Sequence, residues 1–415
     1  VNNKKYLFLI SLDSVSDDDV NILKNSPFFS RLLKKNGVLV RNVKSVFLSN
    51  TYPSHTSVIT GVYPDKHGVI ENTFPTPYIS DGEKPFWRWH RGNIRTTTLF
   101  DEAKKAGLST CSIFWPVTAS ADITYNMPEI FKNRKNQSQL FTSLINGSAS
   151  YQLEMLVKFF YKVLPFNFNL KGLDNFSTAV ACETIKKYKP NLMMIHLCDM
   201  DGKKHKYGLK RDIILNTISD YDARLEKIVT AIKEAGIYDD SHIIVFGDHA
   251  SKDVHANINL NKYISQSPDL KNKAFFHNAG GTCFLKIIGE PGNIKNKIIE
   301  IIEQFKSRGI VRYLTDDEMK TGGFYGRYAL GLEACDGVCF GDANRKKRGQ
   351  HGYTPGLPDY ATFYSVFGKT ARKFKETSGI SEISGGCIVD ICALAAKILG
   401  LPSWDMDGKI HPMLM

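Results

Sequence analysis

Three short runs of unbroken apolar residues stand out along the chain: Tyr6–Leu12, Asn191–Leu197 and His242–Phe246. None carries a helical period, and continuous apolar runs of this length read as strands buried on both faces, as in a parallel sheet. Between them lie segments with helical spacing, at 27–35, 99–105, 177–188 and 220–235, and two further strand-like segments at 38–47 and 109–114. Strand and helix patterns in alternation predict an α/β fold with a central, mostly parallel sheet flanked by helices. The pattern loosens over 120–176, where Asn, Ser and Gly surround an apolar stretch from Leu153 to Leu164; this segment is expected to be a cap-like insertion over a pocket. A second module is expected at 255–350, with a strand at 282–288, a helix at 293–307, a strand at 309–313 and a hairpin from Tyr328 to Asp342. The main domain then comprises 1–254 and 351–415, with the smaller α+β module inserted between them. Internal repeats and low-complexity segments are lacking.

Polar residues at the ends of the apolar runs carry the chemistry. Asp13 follows the first run, Asp199, Asp201 and His205 follow the second, and Gly247-Asp248-His249 follows the third. One Asp after a strand is ordinarily a turn or helix cap. Three strand ends with Asp, two of them with His within four positions, point instead to a site on the carboxyl edge of the sheet, where open α/β folds build theirs. Ser49–Gly61 adds a nucleophile: Thr51 opens a helix, Pro53 fits its first turn, Val58 and Ile59 carry its apolar side, and Gly61 ends it. Free N–H groups and the positive end of the helix dipole favour an alkoxide and a bound phosphate there.

The order of Asp13, the Thr51 helix with Gly61–Gly68, Asp201-x-x-x-His205, Gly247-Asp248-His249 and His351-Gly352-Tyr353 resembles the nucleotide pyrophosphatase/phosphodiesterase branch of the alkaline phosphatase superfamily. The resemblance runs from about residue 6 to the closing segments 389–392, 399–402 and 406–408. Ser14-Val15-Ser16 departs from it, since many relatives have Gly and an aromatic residue after the first Asp. The resemblance implies an alkaline-phosphatase-like fold and a metal-dependent phosphodiesterase with two divalent ions. Zinc is favoured by the mixed carboxylate and imidazole donors, with manganese and iron as alternatives. It assigns Asp13, Thr51, Asp248 and His249 to one ion and Asp201, His205 and His351 to the other. Thr51 would form a covalent phospho-threonine intermediate, and Asn72 would donate to a phosphate oxygen. Tyr52 would offer an aromatic face to the leaving group or base, with Trp115 and Tyr125 as the opposing wall. Asp199 rivals Asp201 by position, and the four-residue spacing to His205 selects Asp201. His55 and His67 read as packing residues, and His196 as a core histidine.

The substrate expected is a small phosphodiester or nucleotide. Uncharged Asn50 and Tyr52 flank Thr51, which suits a diester better than a doubly charged monoester. A phosphomonoesterase or phosphonate hydrolase is the nearest alternative, and a catalytically silent metal-binding protein is the alternative from another class. The Cys/Ser-x-Pro-x-Arg context of a sulfatase is lacking at Thr51. The net charge of +12 over 415 residues would assist capture of anions. Arg345-Lys346-Lys347-Arg348, just before His351, reads as an exposed loop or as a phosphate-steering rim. A nucleic-acid-binding module is not evident, and the apolar runs fall short of the ~18 residues of a membrane span. Eight scattered cysteines lack zinc or disulfide spacing, Cys335 and Cys339 being expected as reduced thiols. With no leader pattern at Val1–Lys5, a cytoplasmic location is favoured, while three Asn-x-Ser sequons and a start on Val leave secretion as the other expectation.

Overall fold

The computed structural model describes residues 5–77, 85–131, 137–159, 161, 170–341 and 347–414. Its strands, in chain order, are β1 (Tyr6–Leu12), β2 (Gly37–Val43), β3 (Thr110–Ile113), β4 (Tyr125–Met127), β5 (Leu192–Leu197), β6 (Ser241–Phe246), β7 (Lys252–Ile258), β8 (Ala274–Asn278), β9 (Thr282–Ile287), β10 (Val311–Tyr313), β11 (Leu330–Ala334), β12 (Gly337–Phe340), β13 (Gly349–Gln350), β14 (Thr362–Phe367) and β15 (Glu382–Ser384). Eight of them form one sheet in the order β15-β2-β14-β6-β1-β5-β3-β4. All neighbours in it are parallel except those of β14, which runs antiparallel to both β2 and β6.

The apolar runs behave as central strands must. In β1, Phe8, Ile10 and Leu12 face one layer of core, while Leu7 and Leu9 face the other. The first layer is completed by helices 27–36, 149–159, 170–188 and 211–234, and the second by helices 51–60, 99–105 and 390–399. Burial on both faces leaves no room for a polar alternation, which is why these strands read as continuous apolar runs. The expected helices at 177–188 and 220–235 are both longer at their N-terminal ends, beginning at Leu170 and Arg211. The strand expected to reach residue 47 stops at Val43; beyond it only Lys44 forms a bridge, to Cys387, before the chain turns toward the Thr51 helix.

Residues 258–340 build their own apolar cluster, in which Ile298 and Ile302 of helix 294–306 and Leu260 and Ile264 of helix 260–266 pack on an antiparallel sheet. That sheet has the order β10-β11-β9-β8. The hairpin expected from Tyr328 to Asp342 does not form among its described residues, Asp342 itself lying outside them. Both edges of β11 are already bonded, by β10 and β9, so β12 continues past the turn at Gly337 to run parallel with β7 in a separate sheet, β12-β7-β13. Segment 120–176 also differs from the expected lid. It starts as β4 at the edge of the main sheet, and Tyr151 and Met155 of helix 149–159 sink into the core beneath it. Among its described residues, Phe131 alone lines the large cleft above the sheet.

Candidate functional site

Five chain segments deliver polar side chains to the carboxyl edge of the sheet. Asp13 follows β1 directly, and Ser14 after it has φ +63°, a left-handed conformation that suits glycine better than serine. Ser14 is held there by its N–H, which donates to Asp248 Oδ1 (2.9 Å), and by its hydroxyl against that of Ser251 (2.8 Å). Asp248 and His249 follow β6 after Gly247, where a Cβ would collide with the Val15 carbonyl and the Thr362 hydroxyl. Helix 199–207 after β5 places Asp201 and His205 one turn apart on one face. His351 follows β13. Thr51 begins helix 51–60, all ten residues of which are buried. A wholly buried helix this rich in Ser and Thr keeps its hydroxyls paired: Thr56 and Thr60 donate to carbonyls four residues back, Ser54 meets Ser45, and Ser57 meets His67.

These segments converge. His249 Nε2 lies 3.4 Å from Asp13 Oδ1, 3.3 Å from Asp248 Oδ2 and 3.4 Å from Thr51 Oγ1. His351 Nε2 lies 3.7 Å from Asp201 Oδ1, and His205 Nε2 lies 3.4 Å from Asp201 Oδ2. Donor atoms of Asp13, Asp248 and His249 fall within 4.8 Å of one another, as do those of Asp201, His249 and His351. His249 therefore sits between the two groups, and His205 adjoins the second through Asp201.

The donor groups are of a kind that could hold metal ions. Asp13 Oδ1, Asp201 Oδ1 and Asp248 Oδ2 are buried without a hydrogen-bond partner, and all three face the histidine cluster. A buried, unpaired carboxylate oxygen is costly, and a cation among three of them removes that cost. Burial, followed by the facing carboxylates of Asp248 and Asp201, pushes the Asp13 carboxyl well above its ordinary range. Burial also lowers the imidazoles of His205 and His351, keeping them neutral as cation ligands must be. Each ligand-type histidine has Nδ1 engaged: His205 with the Gly349 carbonyl (2.8 Å), His249 with the Ala250 carbonyl (3.1 Å) and His351 with Asn50 Oδ1 (2.6 Å). That turns the three Nε2 atoms toward the site, where His205 Nε2 also has Lys347 Nζ at 3.5 Å.

Two further histidines, His196 read as a core histidine and His55 as a packing residue, brace the cluster. His196, on β5, joins Asp13 Oδ2 (3.0 Å) to Glu129 Oε2 (2.9 Å). Burial opposes its charge, yet the two carboxylates raise its pKa well above the ordinary value, so both ring nitrogens donate. His55 spans the Thr51 carbonyl and Ser11 Oγ, both at 2.8 Å, with burial holding it neutral.

The cluster opens into a cleft of about 1070 Å³ lined by Thr51, Asn72, Asp201, His205 and His351. Its aromatic wall is not the expected one. Tyr52 is fully buried because helix 51–60 has no exposed side, and its ring lies behind Trp87 at 5.2 Å. Trp115 is likewise fully buried, edge-on to His55 at 4.8 Å beneath the site. Tyr125 stacks on Tyr188 at 4.4 Å on the helical layer of the core. Trp87 and Phe131, 4.6 Å apart, line the cleft instead. Trp87 escaped sequence reasoning because it lies in a loop without a periodic pattern. Asn72 is in the cleft, its Oδ1 accepting the Tyr52 N–H (2.8 Å). Asp199 pairs with Lys203 (2.8 Å) rather than joining the cluster. Of the basic run, Arg345 and Lys346 fall outside the described residues; Lys347 lines the cleft, with Nζ 3.5 Å from His205 Nε2.

All eight thiols are free; Cys335 is exposed, and Cys339 is buried with its Sγ donating to Asn257 Oδ1. Among the described residues, no helix is long and apolar enough to cross a membrane.

Comparison with known proteins gives the family and the fold. Human bis(5'-adenosyl)-triphosphatase ENPP4 is 25% identical over 423 residues, covering 97% of this chain and 80% of that protein. Human ectonucleotide pyrophosphatase/phosphodiesterase family member 1 is 24% identical over 255 residues, 59% of this chain. The matched part is only 23% of that relative's length. Neither name supports the cytoplasmic expectation, and one carries the prefix ecto. Among solved structures, an inactive threonine-to-alanine variant of murine ectonucleotide pyrophosphatase/phosphodiesterase 5, in complex with AMP, superposes with a TM-score of 0.70 at 17% identity. That likeness covers 98% of this chain and 97% of that one, so the α/β architecture is shared throughout. The family model described as type I phosphodiesterase/nucleotide pyrophosphatase matches residues 7–307, and the chain belongs to that family.

Proposed function

We propose that the protein hydrolyses phosphoric diesters, nucleotide diesters and pyrophosphates foremost, with Thr51 as nucleophile. The observation that carries this reading is the position of Thr51 Oγ1: at a helix N-terminus, in a cleft, 3.4 Å from His249 Nε2, which itself faces the unpartnered oxygens of Asp13 and Asp248. Two divalent cations, one held by Asp13, Thr51, Asp248 and His249 and the other by Asp201, His205 and His351, would supply the positive charge that favours a threonine alkoxide and a nucleophilic water. Zinc is the ion the donor set suits best.

In the first step the Thr51 oxygen gives up its proton and bonds to phosphorus while the bond to the leaving oxygen breaks, and the leaving oxygen takes up one proton, so the count of protons is unchanged. In the second, a water oxygen bonds to phosphorus, the Thr51 Oγ–P bond breaks, and the hydroxyl is restored. Asn72, oriented by the Tyr52 N–H on its Oδ1, has its Nδ2–H available to a non-bridging oxygen. The Trp87–Phe131 wall gives an aromatic or nucleoside substituent a surface to lie against, and ENPP4 and the AMP complex of its structural relative are named for adenosine compounds. Lys347 adds positive charge at the rim.

Thr51→Ala tests the reading. It should keep the fold and fall by several orders of magnitude in kcat on a nucleoside p-nitrophenyl phosphate. Wild type should prefer that diester to p-nitrophenyl phosphate in kcat/KM and react with net retention at phosphorus. Net inversion would refute the phospho-threonine path, and a preference for the monoester would make the protein a phosphomonoesterase.

A further inference from the structure

A line of four buried side chains runs from the second sheet to the ion site, and the mechanism above does not use it. His277 of β8 places Nε2 2.9 Å from Glu71 Oε2, which also accepts from the Thr73 N–H and hydroxyl, each at 2.9 Å. The other oxygen, Glu71 Oε1, accepts from Asn50 Nδ2 at 2.9 Å. Asn50 Oδ1 in turn meets His351 Nδ1 at 2.6 Å. None of the four is more than 7% exposed, although all four border the cleft.

The chemistry of this line has only one consistent direction. An ionised carboxylate accepts and never donates, so Glu71 obliges Asn50 to present its NH₂. With Nδ2 committed, Asn50 has only its carbonyl oxygen for His351, and His351 Nδ1 must carry the hydrogen. The ring then exposes a bare Nε2 toward Asp201. His205 and His249 reach the same state through backbone carbonyls, which cannot reverse polarity. His351 reaches it through a carboxamide that could turn over, and Glu71 is what prevents that. Burial alone would raise the Glu71 carboxyl, but the His277 bond and backbone donors at Thr73 and Asn72 hold it at about 2, so it stays ionised across the working range.

We propose that Glu71 is a positioning residue for the hydrolysis, fixing the tautomer and direction of His351 through Asn50 and tying the second sheet to the site through His277. This rests on the reading above in one respect, that His351 holds a cation. The same turn serves the nucleophile's helix, since neighbouring Asn72 accepts the Tyr52 N–H.

The test is Glu71→Gln. Three donors, from His277 and Thr73, keep the glutamine carbonyl on their side, so its NH₂ faces Asn50. Asn50 then turns over, presents NH₂ to His351 Nδ1, and moves the ring hydrogen to Nε2. In ion-free protein with isotope-labelled histidine, long-range imidazole nitrogen–proton correlations should show His351 as the Nδ1–H form in wild type and the Nε2–H form in Glu71→Gln. Chelator competition with zinc should show one of the two ions weakened about 10–100-fold and the other unchanged. Adding Asn50→Asp to Glu71→Gln supplies an acceptor to both neighbours, so the Nδ1–H form and the affinity should return. Asn50→Leu, which leaves Glu71 and His277 paired, is the second route to the same single-ion loss if Glu71→Gln does not fold. A folded Glu71→Gln with wild-type tautomer and both affinities, failed rescue by the double change, or an Asn50→Leu protein binding both ions normally would each overturn the proposal. A wild type that binds no ion would sink the functional reading instead, while the tautomer comparison would still decide the role of Glu71.

Discussion

His67 should make this protein acid-sensitive in a way one substitution can remove. The side chain is fully buried; its Nδ1 accepts the Val69 N–H at 3.1 Å, and its Nε2 meets Ser57 Oγ at 2.9 Å. Protonating Nδ1 would set two donors against each other in a fully buried site, and burial pushes the imidazole down to about 3. The folded value lies below the ~6.5 of an exposed histidine. The unfolded chain therefore binds the extra proton first, and stability from the neutral ring is present above pH ~6.5 and lost as pH falls. Each unit costs about 1.4 kcal/mol, so between pH 7.5 and pH 4.5 the loss due to this residue is about 2.7 kcal/mol. His67→Gln keeps one polar contact, carries no charge at either pH and should be less stable at pH 7.5. Urea unfolding of both proteins at several pH values separates this term from carboxylates common to both. The stability gap between wild type and His67→Gln should narrow by about 2–3 kcal/mol on acidification. Parallel curves would show that His67 is protonated in the fold or reached by water, and would refute the argument.

Two further changes probe the cleft and its edge. Ser14→Ala should be less stable than Ser14→Gly by about 1 kcal/mol, because both lose the Ser251 contact but only glycine relaxes the left-handed backbone at residue 14; equal urea midpoints would mean the strain is absent. Trp87→Ala should weaken a nucleoside p-nitrophenyl phosphate by ~1–3 kcal/mol in kcat/KM, on the scale of lost base stacking, and leave a dialkyl diester nearly unchanged. An equal loss on both substrates would take the Trp87 ring out of substrate contact.

The parts of the fold legible in the sequence were those where burial is one-dimensional. Strands such as β1 are buried on both faces, so their apolar runs needed no partner to be recognised, and Asp13 and Asp248 stood out as the first polar residues after them. The site's helix was legible from Thr51, Pro53 and Gly61, although its apolar side was not: a helix buried all round offers no contrast of faces, and this one satisfies its core with hydroxyls rather than hydrocarbon. The hairpin expected near residue 335 failed for a related reason. Adjacent strands with a glycine turn pair locally unless an edge is taken, and only the three-dimensional order shows that β9 and β10 already occupy both edges of β11.

Direction was the harder quantity. Tyr52 was correctly placed beside Thr51 and wrongly aimed, since on a fully buried helix adjacent residues point to different neighbours and only residue 51 meets the cleft. The same holds for histidines. His55, His67 and His196 are all buried, yet burial holds the first two neutral while two carboxylates favour charge on the third. The difference lies in what each nitrogen faces: a carbonyl and a hydroxyl for His55, an N–H and a hydroxyl for His67, and two carboxylates for His196. Those carboxylates, Asp13 and Glu129, are far from residue 196 in sequence and from each other, so no spacing encodes the triad. It matters for the proposed chemistry because His196 Nε2 engages Asp13 Oδ2 at 3.0 Å. That leaves Oδ1 as the one oxygen of Asp13 free to face His249 and Thr51, which is the arrangement a cation beside the nucleophile requires.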